Sequence, residues 1–380
     1  MKFITEKTIK RCKETFSLII MGVLISFCAM DVSAKVIHSD QYLKDNGITQ
    51  EIDNGNDYDN LIASLKQDGE VTLVKGETYK VSKTISLKDG WSIDATGATI
   101  YCDMAVFSNE LTKTNYGSLK NVKIKGGTWL SDSKQGYMKT YIHFTHASNI
   151  ELSDMTINST NYEGHTIELV ACKNVTIKNC KITPKGKAGK KSVEEPLQID
   201  LATGTTYPAI AGTKYANGAA CKNIKIIGCT VKGNRGICAN YSPRESKYLN
   251  KFHENITIKN CKITGVCSEA VALFNTAGAT ITGNTIITKA PLSRASYSVG
   301  CHFHLFGKNA AAKKRKITVS KNVIKGGRQA LYFYSQTSQQ YGKVTIKNNK
   351  LYCKNGAGNA LKTVSVSNLT SSGNKTNGWK

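Results

Sequence analysis

Short segments in which apolar and polar residues alternate recur along most of the chain. KNVTIKNCKI begins at Lys173, KNIKIIGCTV at Lys222 and ENITIKNCKI at Glu254. Each segment is a β-branched strand, a turn built on Asn, Gly or Asp, and a second short strand. Further copies begin at Lys120, Ser148, Gly278, Lys316 and Lys343. The position that closes the turn recurs every 23 to 49 residues, which is the size of a solenoid repeat with loops of variable length.

A further strand precedes each copy and forms a second series. Its members are TYIHFTH from Thr140, HTIELVA from His165, PLQIDLA from Pro196, RGICANY from Arg235, EAVALFN from Glu269, GCHFHLF from Gly300 and QALYFYS from Gln329. Three short strands per repeat, with no helical periodicity between them, predict an all-β chain. We expect a right-handed parallel β-helix of eight to ten coils over residues 91–380, with residues 35–90 forming an N-terminal cap and the strands that lead into it.

The repeated cysteines and asparagines follow from this fold, because each coil must stack like on like against its neighbours. Cys180, Cys229 and Cys261 occupy one position of three consecutive copies, and Asn284, Asn322 and Asn349 continue the same line. We predict an inward stack of thiols followed by an asparagine ladder, and we assign the cysteines no catalytic or metal role. Cys172 and Cys221 also fall on neighbouring coils, and a disulfide between them stays open.

The first 34 residues have the pattern of a secretory signal peptide. A basic head is followed by the 15-residue apolar run FSLIIMGVLISFCAM and the small-residue end DVSA, a run too short to span a bilayer comfortably. We therefore expect a secreted, extracellular protein with no membrane segment once the signal is removed. The retained N-terminal anchor is the alternative.

The whole chain carries 52 Lys and Arg against 27 Asp and Glu, a formal charge of +25. Such an excess attracts polyanions. Because the protein is expected to be exported, we predict an acidic polysaccharide as partner and no nucleic acid, and we expect a monomer. The alternative is that the many lysines at alternate strand positions form only a solvated face.

The segment Asn56–Ile100 resembles the N-terminal region of the pectate-lyase-like superfamily of right-handed β-helix proteins. Leu61, Ile62 and Leu65 have the spacing of a short capping helix near residues 57–67, and the words GETY (76–79) and GATI (97–100) match the strands that follow it there. The resemblance implies the fold over nearly all of the mature chain. It does not identify a reaction, since this superfamily includes lyases, hydrolases, epimerases, tailspikes and adhesins.

Side-chain direction along the second series of strands defines a candidate site. Its apolar residues alternate as one inner file, so their neighbours point outward, where histidines, carboxylates, amides and tyrosines gather. We predict catalytic roles for Glu168, Asp200, His302 and His304, and substrate-binding roles for His143, Gln198, Arg235, Asn240, Arg244, Tyr332 and Tyr334. Register leaves open whether Gln198 or Asp200 neighbours Glu168.

The longest insertions follow these strands and are expected to wall the face. They span residues 201–220, 241–254 and 306–316 and carry Tyr207, Tyr215, Tyr241, Arg244 and Tyr248, while Lys185, Lys187, Lys190 and Lys191 are placed on the opposite rim. A polar floor with tyrosine and cationic walls suits an extended anionic glycan. The alternative is that the insertions cluster for packing and bind nothing.

Three chemistries can be compared for such a groove. Glycosidases of the polygalacturonase family carry the motifs N-T-D, D-D and G-H-G, and these motifs are absent here. The nearest match to G-H-G, Gly164-His165, is followed by Thr. Glu168 and Asp200 alone make a sparse calcium site, so we predict no metal and keep calcium only as an alternative cofactor. The early run DNGNDYDN (53–60) is interpreted as a helix-capping turn rather than a calcium loop.

Elimination without calcium requires a base and a group that neutralises a uronate carboxylate. His302 or His304, and a tyrosine such as Tyr332, have suitable side chains. The sequence therefore predicts a secreted lyase or glycoside hydrolase acting on an acidic glycan. A non-catalytic glycan-binding or surface β-helix protein is the alternative.

Overall fold

The structure, a computed structural model, describes residues 35–131, 140–162, 164–186, 188–189 and 194–379. The predicted signal peptide lies outside these residues. Three parallel β-sheets dominate the described chain, and each successive strand of a sheet pairs with the equivalent strand of the next coil. This confirms the right-handed parallel β-helix. In the described part of the chain no helix is both long enough and apolar enough to cross a bilayer.

Two helices precede the solenoid, and the second is the predicted cap. Asp57–Asp68 begins where the Asn56 side chain accepts a hydrogen bond from the Asp59 amide, ends at Gly69 with a φ of 74°, and buries Leu61 and Leu65. The shorter helix Asp40–Asn46 was not anticipated from the sequence.

The early acidic run contributes the Asp57 carboxylate to the docking of the N-terminal segments. That carboxylate accepts hydrogen bonds of 2.6 Å from the amides of Asp40 and Lys80. The Asn56 cap stands at the start of the helix. The run therefore acts as a capping and docking turn, as interpreted from the sequence.

The first sheet contains 12 strands. Two of them precede residue 90, so ten coils follow in the described chain, the upper end of the predicted range. Its strands are Lys35–Ile37, Glu70–Leu73, Ser92–Asp94, Leu119–Lys125, Ala147–Ser153, Lys173–Lys178, Lys222–Ile227, His253–Lys259, Thr276–Thr282, Lys316–Ser320, Lys343–Lys347 and Leu369–Ser372.

The second sheet follows the first across a sharp turn and contains 11 strands. They are Thr78–Lys80, Thr99–Tyr101, Thr128–Leu130, Thr156–Asn158, Lys181–Ile182, Thr230–Gly233, Lys262–Gly265, Thr285–Thr288, Val323–Gly326, Lys350–Cys353 and Lys375–Gly378.

The third sheet contains ten strands and carries the outward face on which the sequence placed a site. They are Ile85–Leu87, Phe107–Asn109, Ile142–Thr145, Ile167–Val170, Leu197–Asp200, Ile237–Ala239, Val271–Phe274, Val299–Leu305, Gln329–Ser335 and Leu361–Thr363. Short helical turns occur in the connecting segments at Pro208–Ile210, Ser246–Tyr248, Leu292–Tyr297, Ala311–Lys314 and Ala357–Asn359.

The turn between the first and second sheets explains the repeated words of the sequence. A residue in the left-handed region, such as Asn179 (φ 54°) or Asn260 (φ 54°), reverses the chain. The residue after it then points into the solenoid. This position must present similar side chains on successive coils, which is why Cys or Asn follows Asn or Gly so often.

The predicted thiol stack is confirmed. The Cys180 amide donates to the Cys229 Sγ at 3.4 Å, and the Cys229 amide donates to the Cys261 Sγ at 3.3 Å. All ten cysteines of the described chain are buried free thiols. The disulfide left open between Cys172 and Cys221 is therefore not formed; instead the Cys172 amide donates to the Cys221 Sγ at 3.1 Å.

The asparagine ladder is also confirmed and extends by one residue. Asn284 donates to the Asn322 Oδ1 at 2.9 Å, Asn322 donates to the Asn349 Oδ1 at 2.9 Å, and Asn349 donates to the Asn374 Oδ1 at 2.8 Å. Each Nδ2 also donates to a strand carbonyl of the preceding coil, for example from Asn322 to Ile281 at 2.9 Å. The ladder thus satisfies buried backbone groups at the turn.

Candidate functional site

The register of the third sheet resolves which residue neighbours Glu168. His143 pairs with Glu168, and Glu168 pairs with Gln198, so these three side chains form one outward row across adjacent coils. Asp200 pairs with Val170 and therefore stands in the next row, diagonal to Glu168. The direction of the side chains agrees with the pattern in the sequence.

A cleft with a volume of about 830 Å³ lies over this row. Five of the predicted residues line it: His143, Glu168, Gln198, Asn240 and Arg244. The remaining lining residues are Thr84, Ala105, Ser108, Thr140, His165, Glu194, Thr205, Thr206, Tyr207, Pro208, Ala209 and Pro243.

Two of the lining residues, His165 and Glu194, were not assigned to the site from the sequence. His165 and Glu194 come from the segments just before strands of the third sheet, where strand parity gives no direction. Tyr207 was expected on a wall, and its ring lies 4.2 Å from the ring of His143, measured between centroids. The short turn Pro208–Ile210 that follows Tyr207 is fixed at its start by proline.

Glu168 is an ionised carboxylate at the floor of the cleft. The His143 Nδ1 lies 2.9 Å and the Thr140 hydroxyl 2.8 Å from its Oε2. Burial alone would raise the pKa of Glu168, but the hydrogen bond and charge of His143, the charge of His165 and the Thr140 bond outweigh it and lower that pKa to about 2. The other ring nitrogen of His143 is held by the Thr145 hydroxyl at 2.6 Å.

Asp200 is fully buried beneath the cleft, so the expectation that it faces solvent is wrong. Its Oδ2 accepts a hydrogen bond of 2.5 Å from the Gln198 amide. Burial, together with the negative charges of Glu168 and Glu195, raises the pKa of Asp200 well above its usual range. The raised pKa favours the protonated form of Asp200 beside Glu168. Of these two carboxyl groups, only that of Glu168 lines the cleft.

The remaining predicted residues form a second, buried cluster further along the sheet. Arg235 pairs with Glu269 at 3.0 Å, and the His302 Nδ1 lies 3.3 Å from the same carboxyl group. His302 is 2% exposed and His304 8% exposed. Burial and the charge of His302 lower the pKa of His304 to about 3.

Aromatic rings cover this cluster and separate it from solvent. The Phe306 ring stacks on His304 at 3.8 Å and on Tyr241 at 3.6 Å between centroids. Tyr332 stacks on His302 at 5.3 Å, and Tyr334 packs edge-on against His304 at 4.9 Å. None of Arg235, His302, His304, Tyr332 and Tyr334 lines the cleft. The outward face is therefore divided into an open part and a buried part.

The loop tyrosines mostly brace the walls rather than face the cleft. The Tyr215 hydroxyl donates to the Leu111 carbonyl at 2.8 Å, and the Tyr248 hydroxyl donates to the Ala216 carbonyl. Of the lysines expected on the opposite rim, Lys185 donates to the Ser131 carbonyl. Lys187, Lys190 and Lys191 lie outside the described residues.

Comparison with known proteins shows the fold. No protein-family model matches the chain, and no curated protein matches it. Two solved structures of PfbA, a surface adhesin of Streptococcus pneumoniae, are each 15% identical. They cover 92% and 91% of this chain and 93% and 99% of their own, with TM-scores of 0.54 and 0.56. A polygalacturonase from Erwinia carotovora is 12% identical over 90% of this chain and 96% of its own, with a TM-score of 0.48.

At these identities the likeness extends to architecture alone. The chain has the pectate-lyase-like fold, a right-handed parallel β-helix, with no subfamily indicated.

Proposed function

We propose that the protein is an extracellular enzyme that cleaves an acidic polysaccharide in the cleft over the third sheet. The observation that carries the proposal is the position of the Glu168 carboxyl group, which contacts His143 and Thr140 at the floor of an 830 Å³ cleft. These contacts lower its pKa. A buried carboxylate with two donors and an accessible side is an arrangement that catalytic sites use.

Glu168 suits the role of nucleophile or general base. With a pKa of about 2 it carries no proton at neutral pH, so it does not serve as the acid. Elimination with His302 or His304 as the base is disfavoured, because both histidines are buried away from the cleft. In addition, both ring nitrogens of His143 already have partners.

An acidic glycan is the substrate class that the cleft and the charge favour. Arg244 lines the cleft with the amides of Gln198 and Asn240, which together offer a cation and hydrogen-bond donors to a sugar carboxylate. Tyr207 adds an aromatic surface beside the catalytic row. The chain's charge of +25 adds a general attraction for polyanions. The polygalacturonase among the neighbours fits this class but carries no weight at its similarity.

A non-catalytic glycan-binding protein is the second candidate, and one observation favours it. Asp200 is fully buried, so the pair of carboxylates expected from the sequence is not presented to a substrate. The two PfbA structures with a similar fold are described as those of a surface adhesin, which supports a binding role as the alternative.

The test is incubation with polygalacturonate, alginate, hyaluronan and chondroitin sulfate, with dextran as the neutral control. Reducing ends report any cleavage, and absorbance of unsaturated uronates reports elimination alone. We expect reducing ends from at least one acidic polymer without unsaturated product. Binding of a polymer with neither signal would establish the non-catalytic alternative.

A matched pair of variants assigns the chemistry to the cleft. Glu168→Gln keeps the shape of the side chain and should lower turnover by about 10²–10⁴-fold. Glu151→Gln changes an exposed glutamate on the first sheet, outside the cleft, and should leave turnover unchanged. Equal activity in both variants would place the reaction elsewhere.

A further inference from the structure

Three donor groups converge at the edge of the cleft. A ring nitrogen of His165 and one carboxylate oxygen each from Glu194 and Glu195 all lie within 4.8 Å of one another. We propose that these residues bind a divalent transition metal of the zinc class. The mixture of one imidazole and two carboxylates suits such a metal better than calcium, which takes oxygen ligands.

The hydrogen bond on the far side of the ring prepares His165 for this role. Its Nδ1 lies 2.8 Å from the Glu195 carbonyl oxygen and donates a proton to it, which leaves the lone pair on Nε2. Histidines that bind metals almost always hold the other ring nitrogen in this way, because the bond fixes both the tautomer and the ring direction.

The spacing of two of the donors is that of ligands around one small cation. His165 Nε2 lies 3.3 Å from the Glu194 Oε2. Two ligands of a tetrahedral zinc ion, each about 2.0–2.1 Å from the metal, are separated by roughly 3.3 Å. The Glu195 carboxyl group, whose Oε1 also lies 3.8 Å from Arg235 Nη1, supplies the third donor. Three protein ligands is the number found in zinc sites that keep one position open.

Burial and charge are consistent with a rim site. The side chain of Glu195 is 4% exposed, that of His165 18% and that of Glu194 44%, so the site is anchored on its inner side and accessible on its outer side. Gln198, 7% exposed, lines the same cleft, and its Oε1 has no hydrogen-bond partner among the described residues. An unsatisfied buried atom of this kind is consistent with an ordered water or ion beside it.

Because His165 and Glu194 both line the cleft, a metal held there would contact a bound glycan. That consequence rests on the proposed function, whereas metal binding itself does not. The alternative arrangement, in which protonated His165 pairs with Glu194, predicts no affinity for the metal.

The experiment is titration of untagged, chelator-treated full-length protein with Zn²⁺ by calorimetry, in the absence of glycan. We expect one equivalent to bind, and His165→Ala and Glu194→Gln each to weaken the affinity at least tenfold. Cobalt(II) added in place of zinc should give a visible absorption band typical of four-coordinate cobalt, which His165→Ala abolishes.

His38→Ala is the matched control. The His38 Nδ1 contacts the Glu77 carboxylate at 2.6 Å, a similar pair that lacks the third donor. It should leave zinc binding unchanged. If His165→Ala does not fold, Glu194→Gln still tests the proposal, because Glu194 is partly exposed and its substitution should not disturb folding.

The proposal is overturned if no saturable binding occurs, if Glu194→Gln binds as tightly as the unmodified protein, or if His38→Ala weakens binding as much as His165→Ala. None of these outcomes bears on glycan cleavage, which is measured separately.

Discussion

Removing one rung of the buried asparagine ladder should destabilise the solenoid far more than removing one from a ladder on its surface. The Asn322 side chain makes four hydrogen bonds: its Oδ1 accepts from the amide and the side chain of Asn284, and its Nδ2 donates to Ile281 and Asn349. At about 1 kcal/mol each, Asn322→Ala should cost about 4 kcal/mol, since the partners stay buried without replacement.

The surface ladder provides a control of the same residue type. Exposed Asn174 donates to Asn149 at 3.0 Å and accepts from Asn223 at 2.9 Å. Its φ is 55°, so glycine is the replacement that keeps the backbone unstrained. Because water replaces both bonds, Asn174→Gly should cost less than about 1 kcal/mol.

The assay is urea unfolding followed by circular dichroism and by tryptophan fluorescence. Trp129 is buried between Ile100 of the preceding coil and Ile157 of the following coil, so its fluorescence reports on the solenoid. Agreement between the two probes is required before free energies are compared, since solenoids can unfold in stages. If the Asn322→Ala midpoint fell no further than that of Asn174→Gly, the ladder would not be the element that holds the turn.

Four further predictions concern the cleft and the thiols. His143→Ala removes a hydrogen bond that helps to lower the pKa of Glu168 to about 2, so the acidic limb of the pH–rate profile should shift to higher pH, toward the ordinary value of 4.5. If the acidic limb did not shift, His143 would not be the group that lowers the pKa of Glu168. Arg244→Ala should raise KM for acidic glycans severalfold with little change in kcat, and a pure kcat effect would contradict a binding role. Asp200→Asn mimics the neutral acid. Because the pKa of Asp200 is higher in the folded than in the unfolded protein, the free energy of unfolding of the wild type falls as the pH rises above the unfolded value near 3.8. The variant lacks this loss, so its stability relative to the wild type should be greater at pH 7 than at pH 4. The same difference in stability at both pH values would refute the raised pKa of Asp200. Finally, a thiol reagent should label the ten buried cysteines only after denaturation, and labelling of the native protein would contradict their burial.

The fold could be predicted from the sequence because the solenoid is periodic. Each turn needs a residue in the left-handed region followed by a residue that points inward. Nearly the same sequence therefore recurs at Asn179-Cys180 and Asn260-Cys261. The inner file of the third sheet could be predicted for the same reason, since strand alternation is a local property. The pairing of Phe303 with Phe333, whose stacked rings lie 4.4 Å apart, continues that file as expected.

Exposure could not be predicted, because it depends on loops that have no period. Alternation shows that His302 and Asp200 point away from the core, but not that other segments cover them. Phe306 and Tyr241, which cover the histidines, come from insertions whose paths are set by packing after the coils have formed. Half of the predicted site therefore belongs to a buried cluster.

The cleft lies where successive coils of the solenoid do not present similar side chains at the same position. On the outward row of the third sheet, successive coils present His143, Glu168, Gln198, Cys238 and Ala272, no two alike. Side chains stacked only for stability tend to repeat, as the asparagines do, because each makes the same bonds to the next. A row that changes at every coil gains no such repetition. It includes Glu168, and the second buried acid, Asp200, lies in the adjacent row, so two carboxyl groups are held close together at some cost in desolvation. In a repeat protein the loss of repetition at buried polar positions is thus a physical indication of function, and it can be sought in a sequence once the inner and outer files have been separated.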